Sequence, residues 1–220
     1  MSQIWGDKED LSKKLDVYEY IIFIIIGFIF TISALLITPF VMLFTSEVGD
    51  AYYCQPVFGY LLVAGEAVFL LKKPHEDLAY AANRFRKISI PAYIETALNI
   101  AISLVLVLYM GLIGVAIGTL VAMIWRLAFH VDLAGKIIEG RGNIQYVIKL
   151  TLFALTSALG FAICRLLLPI ADTGITVGDW IIHAVIYSAV FVVLYVILSL
   201  IAFRREVTEV LRYLRGGDRS

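Results

Sequence analysis

Six long apolar stretches dominate this chain of 220 residues. Each is close in length to the roughly 20 residues that an α-helix needs to cross the hydrocarbon core of a bilayer. The hydrophobic content of 61% also exceeds the roughly 45–50% apolar content of ordinary soluble domains. The pattern predicts an all-α, polytopic membrane protein with six transmembrane helices. Those helices are expected at residues 19–44, 52–71, 92–109, 112–130, 147–169 and 180–203.

The basic residues predict how these helices are oriented. All but Arg165 of the 18 Lys and Arg residues lie in the N-terminal segment, in or around the second and fourth connections, or in the tail. The other three connections contain no Lys or Arg, and their charged residues are Glu47, Asp50, Asp172 and Asp179. Because positive charge collects on the cytoplasmic side of a membrane, both termini are expected to be cytoplasmic.

The chain divides into a membrane region with a polar segment at each end. Residues 17–203 form the expected six-helix membrane domain, and residues 204–220 form a basic cytoplasmic tail. Residues 1–16 are polar and are expected to form a short cytoplasmic amphipathic helix of their own. The apolar side of that helix would be formed by Ile4, Trp5, Leu11 and Leu15.

The connection between the second and third spans is too polar to cross a membrane. Its residues 74–90 either extend the second span or lie along the inner interface. Arg84, Arg86 and Lys87 would then point toward the lipid headgroups, where basic side chains are attracted to anionic lipids.

Glu66 is a carboxylate in the middle of the second apolar stretch. Placing a charged side chain in hydrocarbon costs roughly 2.5–3.5 kcal/mol on insertion scales, so such residues usually face protein or water. Glu66 therefore lines a polar cavity, pairs with a neighbouring helix, or is buried in its protonated form. These three alternatives remain open from the sequence.

Glu95, Asn99 and Arg126 lie on the third and fourth spans, which form a hairpin that turns near Met110. Glu95 and Asn99 are four residues apart and share a helix face. Glu95 and Arg126 lie at nearly equal distances along the chain from the turn, so they are expected at the same depth. A structural Glu95–Arg126 ion pair is the preferred interpretation, and a role in transport is the alternative.

Arg165 and His183 are the remaining polar residues of interest inside the spans. Arg165 lies about one turn before Pro169, so its side chain can snorkel to the outer interface or reach Asp172. His183 falls at a similar depth across the last hairpin. It is either a proton-sensing group or a hydrogen-bonded packing residue.

Small residues mark a site of close helix packing. Gly111, Gly114 and Gly118 include a pair at the four-residue spacing that lets two helix backbones approach closely. The two cysteines, Cys54 and Cys164, are expected to be packing residues. The sequence has no phosphate-binding Gly-rich loop and no ligand spacing for a metal, so we expect no enzyme activity, no cofactor and no nucleic-acid partner.

A set of residues at characteristic spacing runs from the end of the second span to the end of the fourth. The set comprises Pro74; Ala81 and Ala82, then Phe85 and Arg86; Ile94 and Glu95; Asn99 and Ile100; Ser103 and Leu104; the run from Gly111 to Thr119; and Arg126. In these residues the chain resembles the second half of bacterial polysaccharide-export flippases. Those proteins belong to the multidrug/oligosaccharidyl-lipid/polysaccharide exporter superfamily.

The resemblance implies that this chain corresponds to one half of a twelve-helix exporter fold in the plasma membrane. In that family, two six-helix halves enclose a central cavity, and the first two spans of each half line it. Glu66 is then the leading candidate for a substrate-cavity residue, with Arg165 and His183 as further candidates. The implied substrate is a lipid-linked oligosaccharide, moved across the membrane by alternating access while its tail stays among membrane lipids.

A six-helix half implies a partner, which would be a separate chain or a second copy of this one. Two other functions remain open. In the first, the chain is a truncated remnant without transport activity that acts at most as an interaction partner in polysaccharide assembly. Alternatively, it is half of a cation-coupled multidrug antiporter that uses Glu66 or His183 as its ion-coupling group.

Overall fold

The computed structural model describes residues 8–46, 48, 53–139 and 141–214. Within these ranges every regular element is an α-helix. The helices are α1 (Lys8–Phe44), α2 (Pro56–Leu71), α3 (Lys73–Ala81), α4 (Phe85–Met110), α5 (Leu112–Ile137), α6 (Asn143–Leu167), α7 (Val177–Ala202) and α8 (Arg204–Leu214).

Five of these helices, α1, α4, α5, α6 and α7, are long and apolar enough to cross a membrane. The sequence predicts six spans, and the second of them corresponds to α2. That helix is apolar but has only 16 residues, or about 24 Å at 1.5 Å per residue. It is thus shorter than the roughly 30 Å of a hydrocarbon core. The fold is that of an all-α, multi-pass membrane protein.

The N-terminal segment differs from the separate amphipathic helix that the sequence predicts. α1 begins at Lys8 and continues without a break through the first span, because no glycine or proline interrupts residues 8–20. Leu15 is 5% exposed and packs in a cluster with Leu78 and Ala134, so it contacts α3 and α5 and not the membrane surface. Ile4 and Trp5 lie outside the described residues.

The polar connection after α2 forms a short helix that packs on the bundle. Only Lys72 separates α2 from α3, and Pro74 occupies the first turn of α3, a position where proline is well tolerated. α3 buries Leu78 and Ala79 against its neighbours. Asn83, with a φ of 56°, then reverses the chain into α4.

The longer helices run alternately in opposite directions. Side chains near the start of α1 contact residues of α3 and of the connection before α6, while α6 contacts α8, which directly follows α7. At the other end, the Trp180 indole of α7 donates to the carbonyl of Leu36 in α1 at 3.2 Å. One end of the bundle therefore contains the start of α1, the α5–α6 connection and α8, with Glu19, His75, Arg141 and Glu206. We call it the charged end.

Aromatic rings form the centre of the bundle between α1, α6 and α7. Phe153 packs against Tyr20, Phe23 and Tyr195 with ring centroids 5.1–6.3 Å apart. Phe203, at the junction of α7 and α8, joins them at 4.9 Å from Phe153. Aromatic pairs at such separations add to the energy of burying their surface.

Candidate functional site

Glu19 is the centre of the most buried ionic contact of the charged end. Its side chain is 1% exposed, and Nη2 of Arg141 donates to both of its carboxylate oxygens at 2.7 Å. Nε2 of His75, also 1% exposed, lies 2.9 Å from Oε1 of Glu19. A buried carboxylate is stable only when it is paired and hydrogen-bonded in this way. The contact joins α1, α3 and the connection between α5 and α6.

Asp16 extends this network to the end of the chain. Its Oδ1 accepts from Nη2 of Arg141 at 3.0 Å and from Nζ of Lys149 at 2.8 Å. Lys149 in turn lies 3.1 Å from Oε1 of Glu206 in α8. The amphipathic α8 is therefore held against α1 and α6 by charge as well as by apolar packing.

Glu76, the residue after His75, forms a second network on another face of α3. Its carboxylate lies 3.1 Å from Nζ of both Lys72 and Lys73, and Nη2 of Arg126 donates to it at 3.1 Å. Nη1 of Arg126 donates to Glu95. The structure thus brings together Glu95 and Arg126, as their equal distances from the hairpin turn predict. Glu76 is a second acceptor for Arg126.

The electrostatics of Glu76 and Lys72 follow from this arrangement. Burial raises the pKa of Glu76, but the hydrogen bonds from Lys72 and Lys73 outweigh burial and hold that pKa below its usual value. Burial lowers the pKa of Lys72, and the contact with Glu76 opposes the change only in part. The ionic contact between Lys72 and Glu76 therefore favours the charged carboxylate and links the end of α2 to α3.

Asn99 does not take part in the ion pair. Its Oδ1 accepts from the hydroxyls of Ser103 at 2.9 Å and Thr119 at 3.2 Å, so it links α4 to α5. Gly114 and Gly118 lie along the same contact, with Leu106 and Ser103 of α4 directly against them. The predicted close approach of two helix backbones is therefore present within this hairpin.

Two histidines of the charged end keep an unpaired ring nitrogen. Nδ1 of His75 and Nε2 of His130 are buried without a hydrogen-bond partner among the described residues. The other nitrogen of His130 contacts the carbonyl oxygen of Arg126 at 2.9 Å. No group of three or more His, Cys, Asp or Glu in the described ranges is placed to hold a metal ion. The charged end is a closely packed structural assembly in which the carboxylates are already paired.

A groove of about 490 Å³ lies between α1, α2 and α6. That volume is within the roughly 300–1,000 Å³ of typical ligand pockets. Thr31, Tyr60 and Ser157 supply its few polar side chains. The apolar wall is formed by Phe23, Ile26, Gly27, Phe30, Ala34, Val63, Ala64, Ala67, Val68, Leu71, Leu150, Phe153, Ala154, Ala158 and Phe161. The groove has the chemistry of a site for an apolar chain.

Glu66 is exposed on α2 and does not line this groove. The preceding Gly65 faces Met123 of α5, and Leu62, one turn earlier, is 45% exposed. Within the described ranges, no hydrogen bond or ion pair to the Glu66 carboxylate is formed. The structure therefore places this carboxylate on an outer, apolar surface of the bundle.

Arg165 and His183 also lie away from the groove. Nη2 of Arg165 lies 3.2 Å from Asp172, the acidic partner that the sequence places within its reach. Nδ1 of His183 contacts the backbone carbonyl of Asp179 one turn earlier at 2.8 Å. Each residue thus has a local partner, and the structure does not bring either together with Glu66.

Glu19, His75 and Arg141 are central to the charged end, but the sequence pattern did not single them out. One signal marks Glu19, which is the only charged residue in the apolar stretch 19–44. His75 and Arg141 lie in polar connections where charged side chains are ordinary. Only the packing of α3 and of the α5–α6 connection against α1 reveals their role.

Neither a protein-family model nor a curated protein nor a solved structure matches this chain. The helices define its class, that of α-helical proteins with several segments able to cross a membrane.

Proposed function

We propose that this chain is one six-helix half of a transporter that moves a lipid-linked oligosaccharide across the plasma membrane by alternating access. The observation that carries the proposal is the open apolar groove, which is walled by the first two helices of the bundle together with α6. The motif residues between Pro74 and Arg126 resemble those of polysaccharide-export flippases. In such transporters the first two spans of each half line the cavity.

The lining of the groove favours the lipid part of such a substrate. Almost all of its side chains are apolar, and its three polar side chains are uncharged. A sugar-phosphate headgroup needs a hydrated path with polar groups, because charged groups are costly in hydrocarbon. In our proposal the groove accommodates part of the lipid chain, and the second half supplies most of the polar wall for the headgroup.

The orientation in this proposal places the charged end at the cytoplasmic side. The predicted cytoplasmic segments contain nearly all of the basic residues. A sixth crossing requires α2 to span the membrane despite its length of about 24 Å. Short spans are accommodated by local thinning of the bilayer and by snorkelling of flanking residues. Lys72 and Lys73 directly follow α2 and are suited to that role.

Glu66 supports the presence of a second half. An exposed carboxylate on an apolar helix is costly when it faces lipid, so a partner that covers it and donates to it removes that cost. The partner in this proposal is a second six-helix unit, either of a separate sequence or a second copy of this chain.

The groove gives the first test of transport. We expect Ala158→Trp to reduce transport strongly, because the indole would fill part of a groove lined by Ala158 itself. Leu159→Trp is the matched control, because Leu159 is 55% exposed and does not line the groove. The measurement is recovery of surface polysaccharide in a deletion strain of the native host, with each variant's thermal unfolding as a check on folding. Equal recovery by both variants would contradict a role for the groove.

The partner is tested separately by in-membrane crosslinking. A photoreactive residue at position 62, on the exposed face near Glu66, should capture a second six-helix unit, and Glu66→Leu should reduce that capture. The same residue at position 155 of α6, where Leu155 is 62% exposed, is the control and should not capture it. Recovery of monomer alone from both positions would favour a truncated remnant without transport activity. Loss of cation-dependent uptake on Glu66→Gln would instead favour the antiporter.

A further inference from the structure

Three basic residues lie close together in the chain where α3 leads into the first turn of α4. Arg84, Arg86 and Lys87 are all exposed. Within the part of the chain that the structure describes, none of their side chains forms an ion pair or a hydrogen bond. We call these three residues the basic turn.

Most other described basic side chains are paired with a carboxylate. Such pairs hold Lys14, Lys72, Lys73, Arg126, Lys136, Arg141, Lys149, Arg165 and Arg212. Nε of Arg204 donates to the carbonyl of Leu200, and Arg205 lies in a small cleft with Asp16 and Glu206. The basic turn is therefore a concentrated site of positive charge that is not paired with a carboxylate in the described part of the chain.

The nearest acidic residues of α3 are already engaged. Glu76 accepts from Lys72, Lys73 and Arg126, and Oδ2 of Asp77 accepts from the Tyr18 hydroxyl at 2.7 Å. Neither carboxylate forms an ion pair with Arg84, Arg86 or Lys87, and the three exposed basic side chains are accessible to an external anion.

Exposed aromatic side chains precede and follow the basic turn along α3 and α4. Tyr80 is 45% exposed and Phe85 is 55% exposed, with ring centroids 6.0 Å apart. Tyr93, two turns into α4, is 77% exposed. Tyrosine rings are enriched where a membrane protein crosses the boundary between hydrocarbon and headgroups.

The length of α4 sets the depth of the basic turn. α4 has 26 residues and is therefore about 39 Å long, roughly 9 Å more than a hydrocarbon core. The opposite end of α4 leads through Gly111 into an exposed, uncharged hairpin tip, where Tyr109 is 81% and Leu112 65% exposed. The excess length accordingly falls at the start of α4, which places Phe85–Ile90 at the level of the headgroups.

We propose that the basic turn binds the phosphate headgroups of anionic phospholipids in the leaflet at the charged end. Three adjacent cations complement the negative charge of these headgroups, and the neighbouring aromatic and apolar side chains contact the upper part of the acyl chains. The site does not depend on the transport function proposed above, because it lies outside the groove and involves none of its residues.

The test uses the full chain purified in a mild detergent, with binding of short-chain phosphatidylglycerol measured by native mass spectrometry. Phosphatidylcholine is the uncharged reference lipid. The variant R84Q/R86Q/K87Q should bind phosphatidylglycerol at least about tenfold more weakly, since each basic residue near an anionic surface contributes roughly fivefold. Binding to phosphatidylcholine should not change.

The matched control is K136Q/R205Q/R212Q, which removes the same net charge from exposed residues at the charged end. It should retain the affinity of the unmodified protein. Equal loss in the two triple variants would show a general charge effect and overturn the proposal, as would unchanged binding by R84Q/R86Q/K87Q. Binding of inorganic phosphate as tightly as phosphatidylglycerol would overturn the assignment to a lipid. If the first triple variant does not fold, Lys87→Gln alone should weaken binding about fivefold.

Discussion

Replacing Arg141 with methionine is expected to lower the free energy of unfolding by about 3–5 kcal/mol, the usual cost of breaking a buried ion pair. The substitution keeps an apolar stem of similar length but removes the guanidinium that donates to both oxygens of Glu19. Glu19 is 1% exposed, and Nε2 of His75 would be its one remaining polar partner among the described residues. The measurement is reversible unfolding in mixed micelles, followed by intrinsic fluorescence.

The control for this prediction is Lys136→Met. Lys136 also pairs with a carboxylate, that of Asp132, but the two side chains are 67% and 50% exposed. Exposed pairs contribute at most about 1 kcal/mol, so this variant should unfold almost as the unmodified protein does. If Arg141→Met were as stable as Lys136→Met, the Glu19–Arg141 contact would not hold the charged end together.

A double variant separates the cost of leaving Glu19 buried without a partner from the cost of losing the Glu19–Arg141 contact itself. Glu19→Leu combined with Arg141→Met removes both charges and leaves no unpaired buried carboxylate. We expect its destabilisation to be smaller than the sum of the two single effects, because residues in one ionic network are not additive. Strict additivity would contradict a direct interaction between the two side chains.

The sequence predicted the Glu95–Arg126 contact but not the Glu19–Arg141 contact, and the reason is chain separation. Glu95 and Arg126 lie on one hairpin, so equal chain distance from the turn near Met110 is enough to predict their common depth. Glu19 and Arg141 are separated by 122 positions, and four helices, α2 to α5, lie between them along the chain. No periodicity or spacing connects such residues, because their contact depends on how the helices pack.

α3 shows a second limit of sequence patterns. Residues 74–90 are too polar to cross a membrane, and the sequence leaves open whether they extend the second span or lie along the inner interface. The same composition is equally compatible with a helix that buries its charges, which is what α3 does with His75 and Glu76. α3 can bury His75 and Glu76 because Glu19 and Arg126 are their partners. Both partners come from helices that are distant in the sequence.

Glu66 illustrates why the face of an apolar helix is hard to predict. α2 is apolar on all sides, so the sequence has no polar stripe to indicate which side faces the interior. The structure puts Val63, Ala64 and Ala67 on the groove and leaves Glu66 outside it. The sequence therefore shows a carboxylate within an apolar helix, but it does not show on which side of the helix that carboxylate lies.

Introducing a single methyl group at Gly114 is expected to separate α4 from α5 and to lower the free energy of unfolding by about 1–3 kcal/mol, the usual cost of overpacking. A Cβ at this position would lie less than 3.0 Å from the backbone carbonyl of Leu106. A flexible side chain can move away from such a contact, but the backbone of a neighbouring helix cannot do so without shifting the helix. Thermal unfolding of purified Gly114→Ala measures the loss.

Gly65→Ala is the matched control, because it makes the same chemical change in a neighbouring helix. There the new Cβ would lie 3.6 Å from Sδ of Met123, which is an ordinary van der Waals contact. Replacing a helical glycine with alanine then favours folding by roughly 0.5–1 kcal/mol through backbone entropy. The two variants should therefore shift the unfolding temperature in opposite directions. A shift in the same direction for both would mean that the hairpin does not depend on close contact at Gly114, and that its hydrogen bonds through Asn99 hold the two helices together instead.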